Sequence, residues 1–256
     1  MIKIIWKVLW MNFIFFSINT VVAQQKYSPA KAHAHNDYEH TRPFYEANEH
    51  HFGSVEADVY PVNGQLLVAH DSNKVQPARS LQRLYLEPLL LSLQSDSTRM
   101  IQLLVDIKQD YAQSLKLLTT ELQPLVPFLA TVGNAGRLMV VVSGKRPPPQ
   151  EYDQYPLYIF FDDEFTLPHN EDQWRRVGLV SMSFSKIVNW KGNGKIPKRD
   201  RERLQEIIDS VHRAGKRIRF WAAPDTITSW QCQRLLGVDY IGTDKIEELY
   251  NFLQKH

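Results

Sequence analysis

Four residues near the start of this chain are of the types that hold metals or move protons: His35, Glu56, Asp58 and His70. They lie in or beside the run AHNDYEHTRPFYEANEHHFGSVEADVYPVNGQLLVAHD, residues 34–71. Residues 54–60 read as a strand, with Gly53 behind, Pro61 ahead and β-formers between. Side chains alternate along a strand, so Glu56 and Asp58 share one face while Val55, Ala57 and Val59 share the other. Two carboxylates side by side repel each other unless something cationic sits between them. A single hard divalent cation, Mg²⁺ or Ca²⁺, is the simplest candidate, because such ions prefer oxygen ligands. Asn63-Gly64 is a strong hairpin signal, since both residues tolerate positive φ. Residues 65–69 then run back as a second strand and deliver His70-Asp71 to its end. Each residue alone has an ordinary reading, the histidines as satisfied core or surface groups and Glu56 as a solvated strand residue. Their joint spacing is what points to chemistry.

Residues 53–71 resemble the signature of the glycerophosphodiester phosphodiesterases, in which Glu-x-Asp-Val is followed by a short turn, Asp/Asn-Gly and then His-Asp. That family belongs with the phosphatidylinositol-specific phospholipase C-like barrels and the spider-venom sphingomyelinases. The resemblance implies metal ligands at Glu56 and Asp58 and an acid/base pair, with His35 as base and His70 as acid. It also implies a third ligand on the next barrel strand, followed two residues later by a lysine. Leu103-Leu104-Val105-Asp106-Ile107-Lys108 fits, with Asp106 as ligand and Lys108 as a phosphate contact on the same face. The glycerophosphodiesterases usually have Glu at the third ligand, whereas the venom enzymes have Asp. The usual His-Arg-Gly is His35-Asn36-Asp37 here, so a phosphate-binding Arg is replaced by Asn36, a neutral and weaker partner for an anion. The usual Pro-Glu-Asn-Thr element has no clean counterpart. The His-Asn-Asp-Tyr opening is similar to that of a poorly characterised phosphodiesterase-like branch of the superfamily.

The elements that must position these groups alternate strand and helix. Strands are expected over 31–35, 54–60, 101–107, 137–143, 157–161, 178–183, 217–221 and 240–241. Helices are expected over 43–51, 81–93, 111–122, 199–213 and 228–236, with a last one from Lys245. Eight strands in that order argue for an α/β chain folded as a single (β/α)8 TIM barrel over residues 24–256. No Gly-x-Gly-x-x-Gly follows the first strand, which counts against a dinucleotide fold. Chemistry in such barrels sits at the C-terminal strand ends, where His35, Glu56, Asp58 and Asp106 fall. Residues 215–221 and 237–244 resemble the family's closing pattern, while residues 144–198 match little. Trp221, ending the seventh strand, is a candidate wall for a substrate, with barrel packing as the equal alternative. Tyr38 is a further candidate lining residue.

Residues 1–23 read as a secretory signal, with Lys3 and Lys7, an apolar stretch from Val8 to Phe16 and a small residue at Ala23. Without that segment the formal net charge falls from +2 to zero. A neutral chain has no electrostatic footprint for nucleic acid, and no permanent membrane span is expected once the signal is removed. Cys232 is the single cysteine, which excludes an internal disulfide framework. Export to a periplasm or to the exterior is the expectation; nothing here indicates an oligomeric state. The resemblance implies a metal-dependent hydrolase of a small-molecule or lipid phosphodiester, attacked by water or by a neighbouring substrate hydroxyl. Two other readings stand beside it. One is an amidohydrolase-like metallohydrolase using His33-Ala34-His35 as a metal-binding His-x-His. The other is a non-catalytic exported binding protein on the same scaffold.

Overall fold

A computed structural model describes residues 27–165 and 168–255. The expected export signal, residues 1–23, lies outside the described residues. The β-rich runs form β1 (Ala32–Ala34), β2 (Ser54–Val62), β3 (Gln65–Val68), β4 (Ile101–Ile107), β5 (Leu138–Gly144), β6 (Ile159–Asp163), β7 (Val177–Ser183), β8 (Ile218–Trp221) and β9 (Ile241–Thr243). Between and around them lie α1 (Tyr45–Glu49), α2 (Glu87–Ser95), α3 (Tyr111–Glu121), α4 (Glu171–Arg175), α5 (Phe184–Ile187), α6 (Lys198–Arg213), α7 (Ile227–Leu236) and α8 (Ile246–Lys255). The parallel strands follow the order β8-β7-β6-β5-β4-β2-β1-β9, and β3 pairs antiparallel with β2. A lone parallel bridge between Arg219 and Tyr240 joins β8 to the last strand's approach, so the barrel is nearly closed. This is the expected TIM-barrel-like α/β fold.

Alternation along the strands divides the molecule into two environments. Outward residues such as Val55, Ala57, Val59, Leu103, Val105 and Ile107 pack into the main core beneath the helices. The inward residues change character with height. Leu104, Val141, Phe160, Leu179 and Tyr240 form a separate apolar plug inside the barrel. Two residues further along the same strands stand Asp106, Ser143, Asp162 and Ser181, and Glu56 and Asp58 of β2 and Arg219 of β8 face the same interior. The register fixes this change of layer: Leu104 pairs with Val141, and two residues on, Asp106 pairs with Ser143. Ser181 pairs with Arg219 in the same layer. The apolar plug keeps water out from below, and the polar layer opens only at the mouth.

Several elements depart from expectation in instructive ways. β6 begins and ends two residues later than the expected strand over 157–161, which carries Asp162 and Asp163 into the barrel wall. The helix expected over 81–93 divides into Gln82–Leu86 and α2, just ahead of Pro88, whose nitrogen has no hydrogen to continue the ladder. The short helices α4 and α5 lie in the stretch that carried no clear pattern. The hairpin formed as expected: Val62 pairs with Gln65 across Asn63 and Gly64, whose φ values are 49° and 78°.

The loop after β1 is held from within by Asp37, which is fully buried. One of its oxygens accepts the Phe44 N–H at 2.6 Å and the Tyr85 hydroxyl at 2.9 Å. Burial pushes its pKa up to about 6, against those two hydrogen bonds. The native state therefore binds this proton more tightly than the unfolded chain does. Stability contributed at this site falls as pH rises from about 4 to about 6, and is level outside that window. Asp37→Asn keeps an acceptor and removes the charge, so its melting temperature relative to the natural protein should rise across that window. A difference that is flat with pH would show that Asp37 is not the group responsible.

Candidate active site

Glu56 and Asp58 lie two residues apart on β2, and β4 sets Asp106 directly beside Asp58. Glu56 is 5 % exposed and Asp58 2 %. One oxygen from each of the three carboxylates lies within 4.8 Å of the others. Ligand oxygens on one hard cation, at about 2.0–2.6 Å from it, stand at most about 5 Å apart. The three can therefore share one ion, and an all-oxygen donor set suits Mg²⁺ or Ca²⁺ rather than a softer metal.

The protein's own cations hold this cluster together. Lys108 Nζ bridges Asp58 Oδ2 at 2.7 Å and Asp106 Oδ1 at 2.9 Å. Burial would lower the Lys108 pKa, but the two carboxylates outweigh it and raise it. Arg219 Nη1 lies 2.6 Å from Glu56 Oε2, and His33 Nε2 lies 2.8 Å from the same oxygen. Gln102 donates to Ser54 Oγ at 3.0 Å, and that hydroxyl lies 2.8 Å from His33 Nδ1, while Arg219 Nη1 also lies against His33 Nε2, so both ring nitrogens are held. Burial, then the Arg219 charge, push the His33 pKa down to about 4, so the ring is neutral. Burial works to raise Glu56, but Arg219 and His33 outweigh it and hold its carboxyl well below the usual range. For Asp58, burial and then the Glu56 charge prevail over Lys108 and push the pKa up to about 6. Glu56, Asp58 and Asp106 outnumber Lys108 and Arg219, the cations that touch them, and a divalent cation would neutralise the excess.

Local backbone geometry shapes this site as much as charge does. The Ser143 hydroxyl donates to Asp106 Oδ2 at 2.9 Å. Gly144 has φ 69°, and a Cβ there would come within 2.5 Å of Asp106 Oδ1, so no other residue fits without displacing the carboxylate. Asn36 adopts φ 48°, a conformation that suits Asn and would strain an arginine. Its amide nitrogen lies 3.3 Å from Asp244 Oδ1, and the Tyr38 hydroxyl lies 2.8 Å from its Oδ1 and 2.7 Å from Asp58 Oδ2.

His35, Glu56, Asp106, Asp162, Arg219 and Trp221 line a cavity of about 290 Å³ at the barrel mouth. Trp221 is 40 % exposed there, as suits a wall. His35 Nδ1 lies 2.7 Å from Asp244 Oδ1. Burial lowers the His35 pKa, but the Asp244 hydrogen bond and the nearby carboxylate charges outweigh it and raise it. His70 emerges at the same end, where the Ala69 N–H donates to the Asp58 carbonyl at 3.1 Å. Its side chain is more than half exposed, 3.1 Å from Asp71 Oδ1, and does not line the cavity. The fold thus gathers Glu56, Asp58, Asp106, Lys108, His35 and Trp221, seats Asn36 at the edge and leaves His70 at the rim.

The sequence reading set His33 apart from the site and passed over Arg219 and Asp162. Arg219 precedes Trp221 by two on β8 and so shares its face, a signal available from strand alternation alone. Asp162 was hidden by the misplaced end of β6. Burial raises its pKa to about 7 against the pull of Arg219 and Ser181. Removing one partner from a buried charge pair costs about 3–5 kcal/mol. Arg219→Ala should therefore lower unfolding free energy by about that much, with Arg219→Lys costing less. Urea denaturation reads this directly, and an unchanged midpoint would show that Glu56 does not depend on Arg219.

Comparison with known proteins agrees with this geometry. Residues 22–97 match the AIM6-like phosphodiesterase domain. Altered inheritance of mitochondria protein 6 of Eremothecium gossypii is 28 % identical over 87 % of this chain and 69 % of its own length. The protein of that name from Kluyveromyces lactis is 25 % identical over 86 % and 71 %. In structure, a glycerophosphodiester phosphodiesterase from Parabacteroides distasonis has a TM-score of 0.56 at 16 % identity, covering 88 % of this chain and 97 % of that one. One from Agrobacterium tumefaciens also has a TM-score of 0.56, at 14 % identity, covering 88 % and 99 %. Residues 22–97 are thus similar to the AIM6-like phosphodiesterase domain, and the barrel shares its fold with glycerophosphodiester phosphodiesterases.

Proposed function

We propose that this protein is a metal-dependent phosphodiester hydrolase, acting on a glycerophosphodiester, an inositol phosphodiester or a lipid headgroup. The observation that carries the reading is the convergence of Glu56, Asp58 and Asp106 within 4.8 Å at the barrel mouth. Those three residues would hold one Mg²⁺ or Ca²⁺, which when bound would neutralise phosphate oxygens and polarise the ester. Arg219 and His33 both bind Oε2 of Glu56, which keeps that carboxylate ionised and fixes its orientation.

The remaining roles fall to residues around the cavity. His35, with Nδ1 held by Asp244, has its Nε2 left to take the proton of the attacking water or substrate hydroxyl. A carboxylate at the far nitrogen orients the ring and stabilises the imidazolium that results. His70, at the rim beside the β2–β3 hairpin, would protonate the departing alkoxide of a diester lying across the mouth. Lys108 would add a cationic contact to the phosphate once a metal shares its two carboxylates. Asn36 supports His35 through their common partner Asp244, and Trp221 shapes one wall. The same reading takes the protein to be exported, on the strength of residues 1–23 alone.

The His-x-His alternative draws no support from the geometry. His33 turns inward to Glu56 and Ser54, while His35 turns to Asp244. His169 pairs with Asp163, and His212 with Asp239.

Phosphodiesters, phosphomonoesters and amides assayed side by side, with Mg²⁺, Ca²⁺ and Mn²⁺ in turn, test the function. Diester cleavage that stops in chelator and returns with added metal is expected; activity confined to monoesters or amides would refute it. His35→Ala and His70→Ala should each reduce turnover by about a hundredfold or more, because each removes a separate proton transfer. A fully active His70→Ala protein would take the acid role away from that residue. Gly144→Ala should weaken metal binding through its clash with Asp106, and a titration matching the natural protein would show that Asp106 is not a ligand.

A further inference from the structure

Beside the catalytic mouth lies a surface of different chemistry, unused by the mechanism above. After β7 the chain runs through α5 and a loop into α6, and residues 186–203 read KIVNWKGNGKIPKRDRER. That segment concentrates basic residues against Asp200 and Glu202 in a chain of nearly balanced charge. Lys195, Lys198 and Arg201 line a groove of about 700 Å³ between this segment and α7, with Trp190, Cys232 and Leu235 as its apolar part. No acidic residue lines it. Glu202 approaches Lys198 only at 3.7 Å, on the exposed side of α6.

The segment that borders the groove packs against the loop leading from the mouth. Gly192 sits against Pro224 and Thr226 of the loop after β8, so closely that a Cβ would meet Thr226 Oγ1 at 2.7 Å. That same loop follows Trp221, and Lys186 Nζ lies 5.8 Å from the centre of the Trp221 ring. Large apolar side chains stand out beside the cations: Ile227 is 59 % exposed and Leu235 56 %. The acid in this loop, Asp225, is turned inward, bonding the Trp230 indole and the Thr243 hydroxyl. No helix among the described residues is long and apolar enough to cross a membrane.

We infer that residues 186–201, with the exposed side of α7 from Ile227 to Leu235, form a docking surface for an anionic lipid bilayer, which sets the catalytic mouth against the membrane. Charge complementarity and exposed apolar side chains together favour that partner. Cations near an anionic leaflet are drawn to its surface potential, and exposed aliphatic side chains gain by entering the headgroup region. Polar nucleic acid would use the cations and leave Ile227 and Leu235 in water. The inference rests on the diesterase reading for its choice of a lipid partner. Its test involves no turnover, so the two can fail separately.

The experiment is co-sedimentation of the full protein with phosphatidylcholine vesicles, with and without an admixture of phosphatidylglycerol. Binding should require the anionic lipid and weaken with salt. The variant Lys195→Glu, Lys198→Glu and Arg201→Glu should lose at least about a hundredfold in affinity, since each surface cation contributes about fivefold. These side chains are exposed and distant from the acidic cluster, so melting temperature and hydrolysis of a soluble diester should stay unchanged. Ile227→Ser with Leu235→Ser should leave low-salt binding in place and abolish retention at high salt. Equal binding to both vesicle types, binding to neither, or undiminished binding by the charge variant would overturn the inference. So would capture of polyglutamate or duplex DNA in preference to anionic vesicles.

Discussion

Mutual repulsion of carboxylates in a water-poor barrel mouth is the constraint on which the rest of this structure depends. Glu56, Asp58, Asp106 and Asp162 could not be buried together without compensation. Lys108 and Arg219 supply part of it, from the end of β4 on one side and β8 on the other. The second layer then follows: His33 is held neutral beside Arg219, Ser54 and Gln102 brace its far nitrogen, and Gly144 must lack a side chain to leave Asp106 its place. These requirements reach the outer shell too, through Tyr38 and the loop that Asp37 ties down.

Much of this was legible in the residues themselves. The pair Glu56-x-Asp58, the Asn-Gly turn and Asp106-x-Lys108 are short-range patterns whose geometry follows from strand alternation and one hairpin. Their convergence needed only that the strands be neighbours in a parallel barrel. The order of strands and helices was readable for the same reason, because each apolar run is local. Compensation between distant strands was not readable. Arg219 is separated from Glu56 by most of the chain, and only barrel closure brings β8 round to β1 and β2. His33 looked like half of a His-x-His motif, yet its strand position turns it inward against Glu56. The stretch over residues 144–198 was opaque because its helices are short and its strand β6 ends in acids that look like a loop.

The departure at Asn36 acquires a physical meaning from the fold. A left-handed backbone at that position suits Asn, and its amide serves Asp244 and Tyr38. Beside His35 the chain thus carries a neutral amide, and its cations lie deeper. Arg219 and Lys108 sit at the carboxylates and not at the edge of the mouth.

The account stands on the claim that three carboxylates hold one divalent cation, and calorimetric titration of the purified protein with Mg²⁺ and with Ca²⁺ tests it most directly. One site per chain is predicted, abolished by Asp106→Asn and by Glu56→Gln while the fold is retained. Saturable binding that survives both substitutions, or no binding by the natural protein, would contradict it.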